Sequence, residues 1–409
     1  MRYSKLLRIL LVDNYMTWET IGAIVLLFTG KSYVGYVLTP LMLYSLAFVS
    51  KIKSSDFLMN IFFVLLLSGI LVSWFINVFD HQEIIIVRCI GSEVAYMMAY
   101  LIGCSLKERE YDRLFQRCLL PVAILSIIGV YMFFFPPTWY LNRMSHMGEQ
   151  TITLEGQRMK SIFSSPYTLS YISCVLFTYA LFKVLKERES FKKYRLYIII
   201  QIITLLLCMQ RAPLGGAIIG LGGALTFYTI KYQKISYLVK SLVGLLVLVS
   251  VLTVCINNSK DERMEYLKYK IETVINNNES DFINSRYNIN YMTVEHTLLG
   301  DGAGKHAAWA NQYNYVNMAD GQYKKIMQER GDLGFVVFVV FMALVLIKCV
   351  RFAGALSFEL CVMLFLLVSM IGANPLTQIH PYLFWIIIGR ISAFNPSLQK
   401  KEKFVIIKI

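Results

Sequence analysis

Residues 334–350 read GFVVFVVFMALVLIKCV, and Lys348 is the one charged residue in that stretch. An α-helix needs roughly 17–25 apolar residues to cross the ~30 Å hydrocarbon core of a bilayer. The stretch therefore predicts a transmembrane helix, which begins near Gly334 and ends near Arg351. The preceding Asp320 to Arg330 predicts a separate helix that ends at Gly331, because glycine commonly terminates a helix.

Similar apolar stretches recur along the whole chain. Together they predict an all-α, polytopic membrane protein with twelve spans, at 14–30, 33–50, 57–79, 84–104, 117–136, 165–182, 196–210, 212–230, 236–256, 334–350, 354–372 and 378–395. Hydrophobic residues make up 56% of the 409 residues and charged residues only 16%, which excludes a water-soluble globular domain of this length. The first span follows a hydrophilic start without a small-residue cleavage site, so we expect an uncleaved helix.

Lysines and arginines are concentrated in alternate connections between the spans. The strongly basic connections are 51–53, 107–117, 183–195, 231–240 and 348–351, together with both termini. Because basic loops stay on the cytoplasmic side, the pattern predicts cytoplasmic termini and an even number of spans. We attribute the net charge of +14 mainly to this bias, so it does not indicate nucleic-acid binding.

The organisation is that of one membrane domain, 1–409, with two long external connections. These are a smaller loop at 137–164 and a large loop at 257–333, in which Ser259 and Ser285 are expected to begin amphipathic helices. None of the 8 cysteines forms a CxxC pair, so neither a disulfide framework nor a metal site is expected.

Three arginines lie in or beside external connections, where the topology gives no reason for positive charge: Arg158, Arg211 and Arg286. A guanidinium group binds phosphate oxygens through two parallel hydrogen bonds and stays charged in any surroundings. The trio therefore suggests a diphosphate site at the bilayer surface. The alternative is that each arginine reaches lipid head groups or pairs with a loop carboxylate.

Four side chains of the large loop could accept a proton from a hydroxyl nucleophile: Asp301, His306, Asp320 and Glu329. Asp320 is the first candidate and His306 the second. The alternatives are that Asp320 caps a helix, that His306 is an ordinary loop histidine, and that Glu329 forms a local ion pair with Lys325 or Arg330.

Aromatic residues accompany these polar groups in the same loop. Trp309, Tyr313 and Tyr323 are candidates for stacking against sugar rings. Aromatic side chains also gather at any membrane interface, which is the alternative interpretation.

Four segments together resemble the O-antigen polymerase and O-antigen ligase superfamily of bacterial envelope glycosyltransferases. They are Arg158-Met-Lys-Ser-Ile-Phe-Ser-Ser-Pro166, Gln210-Arg-Ala-Pro213, Gly300-Asp-Gly-Ala-Gly304 after Ser285-Arg286, and Asp320-Gly-Gln-Tyr323 before Glu329-Arg-Gly-Asp-Leu-Gly334. Ligases of this superfamily carry a His-Asn-x-Tyr-like element where this chain has Asp320-Gly-Gln-Tyr323. That departure favours the polymerase branch.

The resemblance implies a C-type glycosyltransferase that joins undecaprenyl-diphosphate-linked oligosaccharides at the periplasmic face of the bacterial inner membrane, without a cofactor, nucleotide sugar or metal. It implies that Arg211, Arg286 and Arg158 bind the lipid diphosphate, and a chain-length regulator would be compatible with it as a partner. Two alternatives remain open: a ligase that transfers finished glycan to lipid A core or another acceptor, and a transporter of lipid-linked oligosaccharides. The absence of an internal repeat and the large external loop favour surface chemistry over transport.

Overall fold

The computed structural model of the chain describes residues 11–14, 16–18, 20–21, 24, 44–45, 56–76, 83–140, 158–159, 161–163, 166–187, 189–232, 297–307, 321–377 and 381–396. The predicted span 236–256 lies outside these residues, as do most of 14–30 and nearly all of 33–50. The helices predicted to begin at Ser259 and Ser285 also lie outside them.

The helices of the described part are, in chain order, α1 (Phe57–Ile76), α2 (Glu83–Cys89), α3 (Ala95–Met97), α4 (Ala99–Ser105), α5 (Glu108–Phe134), α6 (Pro166–Leu185), α7 (Phe191–Cys208), α8 (Arg211–Tyr232), α9 (Gln322–Arg351), α10 (Ser357–Ser369) and α11 (Tyr382–Ala393). Five of the described helices are long and apolar enough to cross a membrane: Phe57–Phe75, Glu108–Phe134, Pro166–Leu185, Arg211–Ile230 and Gln322–Arg351. The prediction of a helical membrane protein is therefore confirmed, whereas the count of twelve spans stays a prediction.

Segment 83–105 is not a uniform α-helix. Between α2 and α3 the backbone forms a π-helical turn, Ile90–Val94, and this turn contains the buried Glu93. Such π turns inside α-helices are rare and frequently occur at functional sites.

Two glycines allow α4 and α11 to cross at very short range. A Cβ atom added at Gly103 would lie 2.1 Å from the carbonyl oxygen of Ile386, and one at Gly389 would lie 2.0 Å from the carbonyl oxygen of Tyr100. Small residues at membrane helix crossings permit this backbone approach. Nearby, the Tyr100 hydroxyl donates to Ser392 Oγ at 2.7 Å, which fixes the rotation of the two helices.

The bundle has two chemically different ends. Lys183, Lys348 and Arg390 lie at one end, which we call the basic end. There, Lys348 Nζ donates to the carbonyl oxygen of Ser392 at 2.7 Å. The described residues of the two long connections lie at the other end, which we call the loop end; they are 137–140, 158–159, 161–163 and 297–307. This segregation agrees with the charge pattern from which the topology is predicted.

The predicted helix end at Gly331 is confirmed, because two helical segments of α9 meet there at a kink. Helix α9 begins at Gln322 and runs to Arg351, and Gly331 interrupts it with φ 66° and ψ −175°. A positive φ of this size is readily adopted only by glycine. The sequence therefore placed the end of the first helical segment correctly.

Candidate functional site

The break in α9 is completed by residues 297–307. On one side of Gly331, the N–H groups of Asp301 and Gly302 donate to the carbonyl oxygens of Gln328 at 2.8 Å and Glu329 at 3.0 Å. On the other side, the N–H of Asp332 donates to the carbonyl oxygen of Thr297 at 3.0 Å. Backbone groups that the interrupted helix leaves without helical partners thus pair with the loop.

Gly300 and Gly331 make this docking possible. A Cβ atom on Gly300 would lie 2.4 Å from the nitrogen of Gly331, and one on Gly331 would lie 2.5 Å from the nitrogen of Gly300. Both residues also have positive φ, at 73° and 66°. No other residue type satisfies the spacing and the backbone conformation together.

Four charged side chains are buried beside the docked loop, and we call them the charged cluster: Glu93, Lys325, Glu329 and Arg330. The Glu93 carboxylate accepts hydrogen bonds from Lys325 Nζ and from an Arg330 guanidinium nitrogen, the latter at 3.3 Å. Lys325 Nζ also lies 3.7 Å from Glu329 Oε2. Each buried charge therefore has an opposite charge close to it, as burial in a bundle interior requires.

Next to the charged cluster, Asp301 and His306 form an acid–base pair. The imidazole Nε2 of His306 lies 3.0 Å from Asp301 Oδ2, and Gln328 donates a second hydrogen bond to the same oxygen. The backbone N–H of His306 donates to Glu329 Oε1 at 2.9 Å, which connects the pair to the charged cluster. A carboxylate that holds an imidazole in one orientation is the arrangement used by histidine general bases.

The environment keeps Asp301 ionised. Partial burial alone would raise the pKa of Asp301, but hydrogen bonds from His306 and Gln328 and the nearby charges of His306 and Lys305 outweigh it and lower the pKa below its ordinary value. Asp301 is therefore suited to orient His306, and His306 is the better proton acceptor of the two.

Helix α1 holds residues 297–307 in place through Ser73 and Trp74. The Ser73 hydroxyl donates to the carbonyl oxygen of Glu329 at 2.9 Å and accepts from the N–H of Ala303 at 3.0 Å. The Trp74 indole N–H donates to the carbonyl oxygen of Ala303 at 3.1 Å. Three segments that are distant in sequence thus meet at one buried hydroxyl.

Two of the three predicted arginines, Arg158 and Arg211, belong to segments that contact each other. The N–H of Met159 donates to the carbonyl oxygen of Leu207 at 3.0 Å, and the Cys208 thiol donates to the carbonyl oxygen of Met159 at 3.2 Å. Arg158 and Arg211 therefore flank the same helix end, that of α7. Ser161, with φ 60°, anchors this segment to α5 through a 2.6 Å hydrogen bond to the carbonyl oxygen of Leu125.

Arg211 lies at the same end of the bundle as the charged cluster. Gly216 of α8 packs against Phe365 of α10 and Gly223 against Cys361, so the two helices are antiparallel. The start of α8 is thus level with the end of α10, where the N–H of Gln322 donates to the carbonyl oxygen of Met370 at 2.9 Å. Arg158, Arg211 and the start of α9 all belong to the loop end.

The remaining predicted site residues have varied positions. The Tyr323 hydroxyl donates to the carbonyl oxygen of Leu367 at 3.1 Å, and the ring packs against Phe335 and Phe338, which is a packing role between α9 and α10. The local ion pair predicted for Glu329 with Lys325 is confirmed. Asp320, Arg286, Trp309 and Tyr313 lie outside the described residues.

Sequence analysis missed Glu93, the acidic centre of the charged cluster. Its signal was present, because a carboxylate inside the apolar span 84–104 needs a partner in the bundle. The partner, Lys325, is 232 positions away in the chain, and no local pattern connects the two. Ser73 was missed for the same reason.

Two further observations concern possible metal ligands and cysteines of the described part. No three His, Cys, Asp or Glu side chains of the described residues are grouped as a metal ion would require. Cys89, Cys104, Cys118, Cys174, Cys208, Cys349 and Cys361 are buried free thiols.

Comparison with protein-family models finds no match to the chain, and comparison with curated protein sequences finds no significant match either.

Proposed function

We propose that the chain is a membrane glycosyltransferase that polymerises undecaprenyl-diphosphate-linked oligosaccharide repeat units at the periplasmic face of the bacterial inner membrane. The observation that carries the proposal is the composition of the loop end, where Arg158 and Arg211 lie at the same end as the Asp301–His306 pair. Cations for a diphosphate and a base for a hydroxyl are the two groups that this reaction needs.

The proposed step is a single displacement at an anomeric carbon. The hydroxyl oxygen of one lipid-linked saccharide forms a bond to the anomeric carbon of another, and the bond from that carbon to the diphosphate oxygen breaks. His306, oriented by Asp301, accepts the hydroxyl proton, and the electron pair of the broken bond leaves with undecaprenyl diphosphate. Arg211 and Arg158 stabilise the negative charge that develops on the departing group.

The proposal is tested by deletion of the gene and complementation with variants at equal protein level. We expect Arg211→Ala to lower polymer synthesis by about 100-fold or more, the typical cost of removing one group that stabilises transition-state charge. Arg211→Lys should restore little, because an ammonium group cannot bind two phosphate oxygens in parallel. Arg195→Ala, at an exposed position near the basic end, is the matched control.

Full-length polysaccharide made by the Arg211→Ala chain would disprove the assignment. The glycan distribution separates the two branches of the resemblance. Loss of a polymerase leaves single repeat units on the final acceptor, whereas loss of a ligase leaves long chains on the lipid carrier.

Transport is a second candidate, and the charged cluster is the observation that favours it. Buried ionisable residues in a membrane bundle commonly mark the path of a substrate or proton. Sealed vesicles that contain the purified protein and synthetic lipid-linked repeat units distinguish the two functions. Longer glycans support the glycosyltransferase, and movement of unchanged units between leaflets supports the transporter.

A further inference from the structure

The last helical turn before the break in α9 contains Gln328, a buried residue that contacts the acid–base pair. Its side-chain amide donates a hydrogen bond to Asp301 Oδ2, the carboxylate oxygen that also lies 3.0 Å from His306 Nε2. Its carbonyl oxygen accepts the backbone N–H of Asp301 at 2.8 Å. Gln328 therefore holds Asp301 through both the backbone and the carboxylate.

The next residue of α9, Glu329, holds the other end of the same loop segment. Its Oε1 accepts the backbone N–H of His306 at 2.9 Å, and its carbonyl oxygen accepts the N–H of Gly302 at 3.0 Å. Lys325 Nζ, 3.7 Å from Glu329 Oε2, holds that carboxylate in turn. Because Asp301 and His306 are attached to consecutive residues of one helix, α9 fixes the position of one relative to the other.

The amide of Gln328 restricts the rotation of the Asp301 carboxylate. A carboxylate can turn about the bond to its Cβ atom, and such a turn would move Oδ2 away from the imidazole of His306. A second hydrogen bond to the same oxygen, from a donor fixed in a helix, opposes this motion. The amide is also neutral, so it donates without adding a positive charge that would compete with the imidazole for the carboxylate.

We propose that Gln328 is a positioning residue of the glycosyl transfer, which holds the Asp301 carboxylate in the orientation that directs the His306 imidazole. The inference rests on the proposed function for the reaction and on the contacts of Gln328 for the role. Gln328 neither takes nor releases a proton, because it acts through Asp301. Loss of its amide should therefore slow the chemical step and leave the affinity for the lipid-linked substrate unchanged.

The first measurement does not require activity. Solid-state NMR of the full chain in lipid bilayers, with isotope-labelled histidines, reports which imidazole nitrogen carries the proton, and His306→Ala identifies the signals of His306. We expect Gln328→Met, which removes the donor but keeps the chain length, to shift these signals. Gln116→Met should not, and it is the matched control because the Gln116 amide donates to Asp112 Oδ2 at 2.9 Å in α5. Unchanged His306 signals in Gln328→Met would overturn the proposal.

The second measurement is the initial rate at which the purified chain, in proteoliposomes, joins synthetic lipid-linked repeat units. We expect Gln328→Met to lower kcat by about tenfold or more at nearly constant KM, because a misplaced catalytic group costs rate rather than binding. The Gln116→Met chain should keep the wild-type kcat. A wild-type kcat for Gln328→Met would also overturn the proposal.

The pH profile of Gln328→Glu distinguishes positioning from packing. Glutamate has the shape of glutamine, but only its protonated form can donate to Asp301, and its ionised form repels that carboxylate. The other charged and titratable groups near this contact are Lys305 and His306 of the loop and the charged cluster, Glu93, Lys325, Glu329 and Arg330.

We expect the rate of Gln328→Glu, divided by the wild-type rate, to be highest near about pH 5 and to fall about tenfold or more toward about pH 8. The same ratio for Gln116→Glu should not fall in this way. A ratio for Gln328→Glu that stays constant with pH would show that only the shape of the side chain matters, and it would refute the positioning role.

The two measurements separate this proposal from the proposed function. A wild-type chain that joins repeat units, with Gln328 variants that behave like the Gln116 variants, would refute the role of Gln328 alone. A wild-type chain that joins no repeat units, while Gln328→Met shifts the His306 signals, would refute the glycosyltransferase function and with it a role in glycosyl transfer.

Discussion

At the scale of single residues, Glu93 has the largest predicted effect on stability. Its carboxylate neutralises Lys325 and Arg330 in a buried site. We expect Glu93→Gln to destabilise the fold by about 3–5 kcal/mol, because it leaves two buried cations with one fewer counter-charge. Thermal unfolding in detergent measures the effect, and Glu83→Gln, at an exposed position of the same segment, is the control.

The charge explanation for Glu93 is distinguished from a shape effect by a second substitution. The double variant Glu93→Gln with Lys325→Gln removes one charge of each sign and should be less destabilised than the sum of the single effects. Strict additivity of the two changes would contradict an ion pair between these side chains.

Asp301 gives a pH-dependent prediction. Because its pKa is lowered in the folded chain, the ionised carboxylate stabilises the fold above its ordinary pKa of about 3.9, and that stabilisation is lost as the pH falls through the folded-state value. The wild-type chain should exceed Asp301→Asn in unfolding temperature at pH 5, and the difference should shrink below about pH 4. A difference that persists unchanged into acid would contradict the expectation.

At the scale of elements, the crossing of α4 and α11 tolerates no side chain. Gly389→Ala would place a Cβ atom 2.0 Å from the carbonyl oxygen of Tyr100, in a contact where only backbone can move. We expect destabilisation of about 1–3 kcal/mol or more and a reduced yield of folded protein by fluorescence-detected size exclusion. Gly222→Ala is the matched control, since nothing lies within 4 Å of its added Cβ, and it should be neutral or stabilising.

The elements also show which parts of the fold could be predicted from sequence. Apolar length located α1, α5, α6 and α8, because each helix must satisfy its own backbone in lipid whatever its neighbours are. The start of α9 was misplaced by two residues, whereas the helix end at Gly331 was predicted correctly. The sequence did not predict that residues 297–302 supply the hydrogen bonds missing at this kink, because that pairing is not encoded near Gly331.

The candidate site was less predictable than the helices. Arg158 and Arg211 could be selected because positive charge is unusual at their positions, and His306 because an imidazole can accept a proton. Glu93 and Ser73 could not, because their role depends on contacts across more than 200 positions of the chain. Polar groups in a bundle interior pair over long distances in the chain. Such pairs cannot be predicted from local patterns in one sequence.

At the scale of the whole molecule, the separation of the two ends predicts the orientation in the membrane. In intact cells we expect a membrane-impermeant maleimide to label Glu83→Cys at the loop end but to label Lys193→Cys at the basic end only after permeabilisation. Both positions are exposed, and the cysteines of the described residues are buried and therefore shielded from the reagent. The reverse pattern would place the loop end in the cytosol and would refute the proposed function.

The break in α9 also constrains the design of chimaeras between this protein and others. Some backbone hydrogen bonds of helix α9 are made with residues outside the helix. The partners are the N–H groups of Asp301 and Gly302 and the carbonyl oxygen of Thr297. A chimaera that imports a foreign outer loop must therefore keep 297–307 from the same parent as α9, with the graft junction placed before Thr297. A junction after Ala307 would separate two halves of one ladder and leave polar backbone exposed at the edge of the lipid.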